Sequence, residues 1–200
     1  MDITKILDVF YRSQTVSEFD PFTANNLACL AMALSTNGIG GAIPSPRLEV
    51  EIYERSLEYG WNIFSPQGLK RICESYDVPD DLTMNGSLED IRNAIDNDQV
   101  VIIPGFFREL GHSVIIHAYG SHGFFVNDPY GELVTNVEHF PWYYRFNYDG
   151  RRYGEHCLYD HKLIAATCGS WCYSQARAVH PNISLFEANA VRNLVLHRIG

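Results

Sequence analysis

Gly111-His-Ser-Val-Ile-Ile-His-Ala-Tyr-Gly120 runs through Ser121-His122 into Gly123-Phe-Phe-Val-Asn-Asp-Pro-Tyr-Gly131. Ser113–Tyr119 and Gly123–Val126 are rich in β-branched and aromatic residues, and Gly120–Gly123 between them reads as a hairpin turn. Such a hairpin sets the start of the first strand beside the end of the second. His112 and Asp128 then become neighbours, and a carboxylate beside an imidazole orients the ring. Taken singly, each residue has a plainer reading, His112 as the start of a strand and Asp128-Pro129 as a turn. The combined pattern favours the pair.

Ahead of this hairpin Gln99–Ile103 is a further β-branched run, and after it Trp171–Val179 is the best candidate for a fourth strand. The N-terminal half is helical in texture. Leu7–Tyr11 reads as a short extended stretch, followed by Thr23 or Asn25 as a cap for Leu27–Leu34, a run apolar on nearly every face and so central. Gly38, Gly40 and Gly41 end it. Arg47–Tyr59 puts Val50, Tyr53 and Leu57 on one stripe. Ser65-Pro66 opens a helix with Leu69, Ile72, Cys73 and Tyr76 inward, and Ser87 caps Leu88–Ile95 with Asp90 completing a box. Ser184–Ile199 reads as a C-terminal helix with Leu185, Ala188, Val191, Leu194 and Val195 on one face. Helices first and an antiparallel sheet after them give an α+β chain: one domain over 1–183 and a helical extension over 184–200.

The 200 residues carry 24 acids against 15 bases, a formal charge of −9. That balance argues against nucleic acid or an anionic membrane as partner. No window approaches the roughly 18 apolar residues that span a bilayer. Met1–Tyr11, with Asp2 and Asp8, lacks the apolar core of a secretory signal. Synthesis in the cytoplasm is expected, with particle assembly or lysis as the routes out. The cysteines, Cys29, Cys73, Cys157, Cys168 and Cys172, form no disulfide framework and are expected reduced. Cys168 and Cys172 with His156 and His161 make a weak zinc pattern, so neither metal nor cofactor is expected.

A cysteine hydrolase needs a thiolate, a histidine to share its proton, a group to orient that histidine, and donors for an oxyanion. The Gly-His strand, the glycine turn and the closing Asn-Asp-Pro resemble the bacteriocin-processing (double-glycine-leader) peptidase-like branch of the papain-like cysteine peptidases, phage and bacterial members included. Tyr11-Arg-Ser-Gln14 resembles the family's Ser-Gln ahead of the nucleophile, and Asn25-Asn-Leu-Ala-Cys-Leu-Ala-Met-Ala-Leu34 its first helix. The similarity runs over roughly residues 7 to 180. It implies a papain-like fold, N-terminal helices on an antiparallel sheet, with His112 as base and then acid, Asp128 orienting it, and Gln14 with the backbone N–H of residue 25 holding the oxyanion.

The same register sets Asn25, not a cysteine, at the nucleophile position, and an amide cannot become a thiolate. Three readings stand open: a natural pseudoenzyme, an asparagine introduced in place of a native cysteine, or Cys29 acting as alternative nucleophile. Cys29 is one turn along the same helix face, but in an apolar run that suits a buried small hydrophobe. His117 and His122 read as structural, and the aromatic run Phe140–Phe146 as packing or a contact surface. The functional expectation is a domain that cleaves or binds peptides, cell-wall peptides among them, in a virion- or lysis-associated setting. Its alternative is a non-catalytic virion or tail component that reuses the fold and contacts other virion proteins.

Overall fold

The computed structural model describes residues 2–16, 24–40, 46–108, 111–134, 143–147, 151–169 and 193–200. The expectations for Thr23, Phe140–Trp142, Trp171–Val179 and Ser184–Arg192 lie outside these residues. Among the described residues the chain is α+β, with a seven-stranded sheet whose pairings are all antiparallel. The strands are β1 (Ile3–Ile6), β2 (Asp80–Gly86), β3 (Val100–Gly105), β4 (His112–Gly120), β5 (Gly123–Asn127), β6 (Gly131–Val134), β7 (Tyr143–Phe146), β8 (Cys157–Asp160) and β9 (Leu194–Ile199). The main sheet runs β2-β9-β3-β4-β5-β8, with β1 also on β4, while β6 and β7 form a separate hairpin.

Helices cover both faces, which is why Val100–Ile103 of β3 and Val114–Ile116 of β4 are continuous apolar runs rather than alternating. Ile102 and Ile115 face a core built with α1 (Asn25–Thr36), α2 (Pro46–Glu58) and α3 (Pro66–Glu74). Val101, Ile103, Val114 and Ile116 face a second core with α4 (Leu88–Asp96) and α5 (His161–Cys168). The apolar run of α1 is central as its composition implies: Leu27, Leu30, Met32 and Leu34 are all buried. Ser65 caps α3, and Ser87 with Asp90 forms the capping box of α4.

Three expectations change, and one strand arises from a stretch left unassigned in the sequence. Asn25 does not cap α1 but is its first helical residue, because its carboxamide is engaged by β4 instead of its own helix. The inward face of α2 is Leu48, Glu49, Ile52 and Ser56, with Leu57 exposed, because Arg12 draws Glu49 inside. Arg12 Nη1 meets Glu49 Oε2 at 3.1 Å and its Nη2 donates to Ser35 Oγ at 3.2 Å, so the pair pins the segment before α1 to two helices. The polar run Asp80–Gly86 is a strand, held at the sheet edge by β9. Finally, Leu194–Ile199 is a strand rather than the end of a helix, inserted between β2 and β3. Leu-Val-Leu-His-Arg-Ile satisfies a helical stripe and a buried strand alike, and pairing on both sides decides it.

The C-terminal strand is locked by a second buried histidine–carboxylate pair, His197 Nδ1 with Asp80 Oδ2 at 2.6 Å. Asp80→Ala strands a buried imidazole and removes its partner. Urea unfolding is expected to show a loss of about 3–5 kcal/mol, and a loss under about 0.5 kcal/mol, the size of a surface change, would contradict the lock.

His117 sits at the bulge where the β4–β5 register slips. Its Nδ1 faces the Leu7 carbonyl at 3.2 Å, and burial, then the neighbouring His156, lower its pKa from 6.5 to about 4, against the opposing pull of Leu7 and Asp8. The unfolded chain therefore binds a proton in that interval that the native chain does not. The His117 contribution to stability is expected to fall as pH drops from about 6.5 towards 4 and to level off below it. His117→Gln should flatten that slope in pH-dependent denaturation; an unchanged slope would assign it elsewhere.

Candidate active site

Three elements converge on one place: the segment around Gln14, the N-terminus of α1, and the mouth of the β4–β5 hairpin. Gly111 has a φ of +78°, which a side-chain-bearing residue rarely adopts, and it turns the chain into His112 at the start of β4. Ile115 faces Asn127. Continuing that register puts Asp128 opposite Val114, so its reach to His112 is diagonal. The bond is made: His112 Nε2 and Asp128 Oδ1 are 2.7 Å apart, with both side chains sealed from solvent.

The Asp128 carboxylate is surrounded by donors. Tyr130 N–H reaches Oδ1 at 2.9 Å, and the hydroxyls of Tyr159 and Tyr144 reach Oδ2 at 2.8 and 3.3 Å. Burial, and then the charge of Asp128, raise both phenols well above their ordinary range. With three other donors aimed at it the carboxylate can only accept, so the imidazole donates from Nε2. His112 Nδ1 is buried and has no hydrogen-bond partner among the described residues. The ring lies edge-on to Phe107 and Tyr144, with centroids at 6.3 and 6.1 Å.

The backbone of Asp128 is held as firmly. Its carbonyl accepts from Tyr11 Oη at 2.9 Å and its N–H donates to the Gly154 carbonyl at 2.8 Å. A Cβ on Gly154 would stand 1.9 Å from the Asp128 oxygen, so only glycine fits. Asn147 closes this layer, donating to Tyr11 Oη at 2.5 Å and accepting from Gly154 N–H at 3.1 Å. Tyr11, Tyr144, Asn147, Gly154 and Tyr159 escaped the sequence reading. They come from separated segments, and no spacing in the chain relates them to Asp128.

On the helical side, Asn25 Oδ1 accepts from Ser113 N–H at 3.3 Å, which sets the first residue of α1 against the residue after His112. Asn26 anchors the same junction, taking a hydrogen bond from Ser113 Oγ at 2.7 Å and donating to the Ile63 carbonyl at 2.9 Å. Cys29 faces the same strand from inside the core: its Sγ donates to the Ser113 carbonyl at 3.3 Å, and complete burial, then Asp128, raise its pKa well above the ordinary thiol value. Gln14 is fully buried at the start of a short 3-10 turn, with its N–H on the Pro129 carbonyl at 2.9 Å, next to Asp128.

Elsewhere, His117 is buried against Leu7, and His122 lies in the turn beside Ser121 Oγ at 2.8 Å. Three residues of the zinc pattern have other neighbours. His156 stacks on Phe125, His161 meets Arg92 and Cys168 meets Thr167, and the described residues contain no group of three candidate ligands placed to hold a metal. Cys172 lies outside them.

Residues 6–153 match the Peptidase_C39 like family. Neither the curated proteins nor the solved structures contain a match to the chain. The matched span takes in Gln14, α1 and the whole β4–β5 hairpin, and ends before β8, α5 and β9. It covers well over half of the sequence and both sides of the His112 junction, and on that footing the chain belongs to the Peptidase_C39 like family, a papain-like cysteine-peptidase type of domain.

Proposed function

We propose that this chain uses the C39-like scaffold to hold an extended peptide between α1 and the sheet, with thiolate chemistry withdrawn at Asn25. The observation that carries the reading is the seat of Asn25: first residue of α1, one hydrogen bond from Ser113, beside an intact His112–Asp128 pair. A thiol there would pass its proton to His112 Nδ1, attack a peptide carbonyl as thiolate, and leave the oxyanion to Gln14 and the residue 25 N–H. His112 would then return the proton to the leaving amine. A carboxamide has no such proton to give. Cys29 does not replace it in this reading, since its thiol is closed inside the core. The resemblance to phage members extends the proposal to a virion- or lysis-associated setting with cell-wall peptides as ligands.

Iodoacetamide tests this directly. The native chain is expected to label no cysteine faster than the urea-unfolded chain does. Asn25→Cys should create a thiol that labels at least about tenfold faster than unfolded-chain thiols at pH 7, and His112→Ala should abolish that gain. Fast labelling of Cys29 in the native chain would move the nucleophile to that residue. A new thiol no more reactive than those of the unfolded chain would remove position 25 from the site.

A second reading, an assembly component that uses the fold for contacts, is favoured by the β6–β7 hairpin. Its Tyr143 and Phe146 are 55% and 48% exposed close to the site, an apolar display that suits a protein contact. A contact role of this kind entails self-association through the hairpin that Tyr143→Ser with Phe146→Ser disrupts in sedimentation velocity. A monomer for both chains at every concentration would sink it.

A further inference from the structure

Leu57, Tyr59 and Phe64 stand 63%, 56% and 62% exposed on the stretch where α2 ends and the chain turns into α3. Large apolar side chains exposed singly are ordinary, but several on one turn mark a contact surface. The turn that carries them is firmly bonded. Gly60 takes a φ of +66°, and Trp61 N–H returns to the Ser56 carbonyl at 2.8 Å, which closes α2. The Trp61 ring stacks on Tyr59, with centroids 4.7 Å apart. Asn62 Oδ1 accepts from Phe64 N–H at 2.8 Å, and its carbonyl accepts from Ser65 N–H at 3.1 Å. A Cβ on Gly68 would overlap that same carbonyl oxygen, so α3 packs directly on the turn. Ile63 points into the helical core, which turns Phe64 outward. The apolar groups are therefore in place before anything binds, and a partner has little loop ordering to supply.

Position and charge say what fits there. The Ile63 carbonyl accepts from Asn26 Nδ2 at 2.9 Å, and Asn26 Oδ1 accepts from Ser113 Oγ at 2.7 Å. Two hydrogen bonds thus join the turn to the residue after His112, and the surface continues the α1 side of the peptide site. Glu54 and Glu58 are exposed one helical turn apart on α2, on the side that carries Leu57. The cation between them, Arg55, is engaged by Glu51 at 3.7 Å and by the Ser75 carbonyl at 2.8 Å. Resting on the peptide-holding reading, we propose that the ligand peptide continues from the α1 junction over Leu57–Phe64, and that the part lying there carries bulky apolar side chains beside lysine or arginine. The apolar side chains pack on Leu57 and Phe64 and supply the affinity. The cations face Glu54 and Glu58 and supply selection, because exposed ion pairs add little to binding but discriminate against like charge.

The test uses the full chain with three pools of N-acetylated, C-amidated decapeptides on a glycine, alanine and serine background. The first is enriched in phenylalanine, leucine, lysine and arginine, the second in phenylalanine, leucine and glutamate, the third in lysine and arginine alone. Isothermal calorimetry gives the affinities, and ¹H–¹⁵N spectra show which backbone amides shift. The first pool is expected to bind at least about tenfold tighter than either of the others, with shifts at both Phe64 and Ser113. Leu57→Ser with Phe64→Ser, two exposed positions, should bring the first pool down to the affinity of the third. Glu54→Gln with Glu58→Gln should narrow its lead over the second to within about threefold. Equal binding of the three pools with shifts at Ser113, or a preference unchanged by the serine variants, overturns the surface and leaves peptide holding intact. Shifts at Phe64 with none at Ser113 overturn the continuity of surface and site. Binding of no pool overturns peptide holding itself, and the surface with it.

Discussion

A buried carboxylate has to be completely bonded, and the site is organised around meeting that demand at Asp128. Its side chain is sealed from water and receives His112 Nε2–H, Tyr130 N–H, Tyr159 O–H and Tyr144 O–H. Leaving such a charge short of a partner costs several kcal/mol, so each donor is constrained to its position. Those donors arrive from β4, the turn after β5, β8 and β7. Tyr11 and Gly154 fix the backbone of the same residue from two further segments. One carboxylate thereby sets where the sheet, the small hairpin and the segment ahead of α1 meet.

This is how the His112–Asp128 pair stands complete in the same junction as Asn25. The tautomer and position of His112 are determined by Asp128 and by the aromatic rings around it. Position 25 contributes nothing to that bonding. The helix is held mainly by its other residues: Asn26 ties it to Ser113 and Ile63, Cys29 touches the Ser113 carbonyl, and the rest of α1 is packed in the core. Asn25 adds one bond to this junction through Ser113 N–H, and the Cys29 thiol packs against the same residue from inside the core.

What was legible in the sequence was local. The pair His112 and Asp128 could be read because glycines bound a single hairpin and Gly111 must take a positive φ. α3 and α4 announced themselves by caps within a few residues of their starts. The rest depends on contacts between distant segments. Tyr144 and Tyr159 are ordinary aromatic residues until β7 and β8 bring them to one oxygen. Glu49 looks like a surface charge unless Arg12 is known to lie against it. Asp80–Gly86 is too polar to suggest a strand, and Leu194–Ile199 fits either period, so the join between them appears only in three dimensions, with His197 on Asp80. Diagonal reach, rather than direct opposition, is likewise invisible to a hairpin reading.

The most direct measurement is the long-range ¹H–¹⁵N correlation spectrum of the imidazole rings in the native chain. A ring oriented by Asp128 carries its proton on Nε2 in slow exchange with water, and Nδ1 has the chemical shift of a bare nitrogen. That pattern is expected for His112 and should be lost in Asp128→Asn. A His112 ring with its proton on Nδ1 and a bare Nε2 would contradict it, because the imidazole would then be oriented by something other than Asp128.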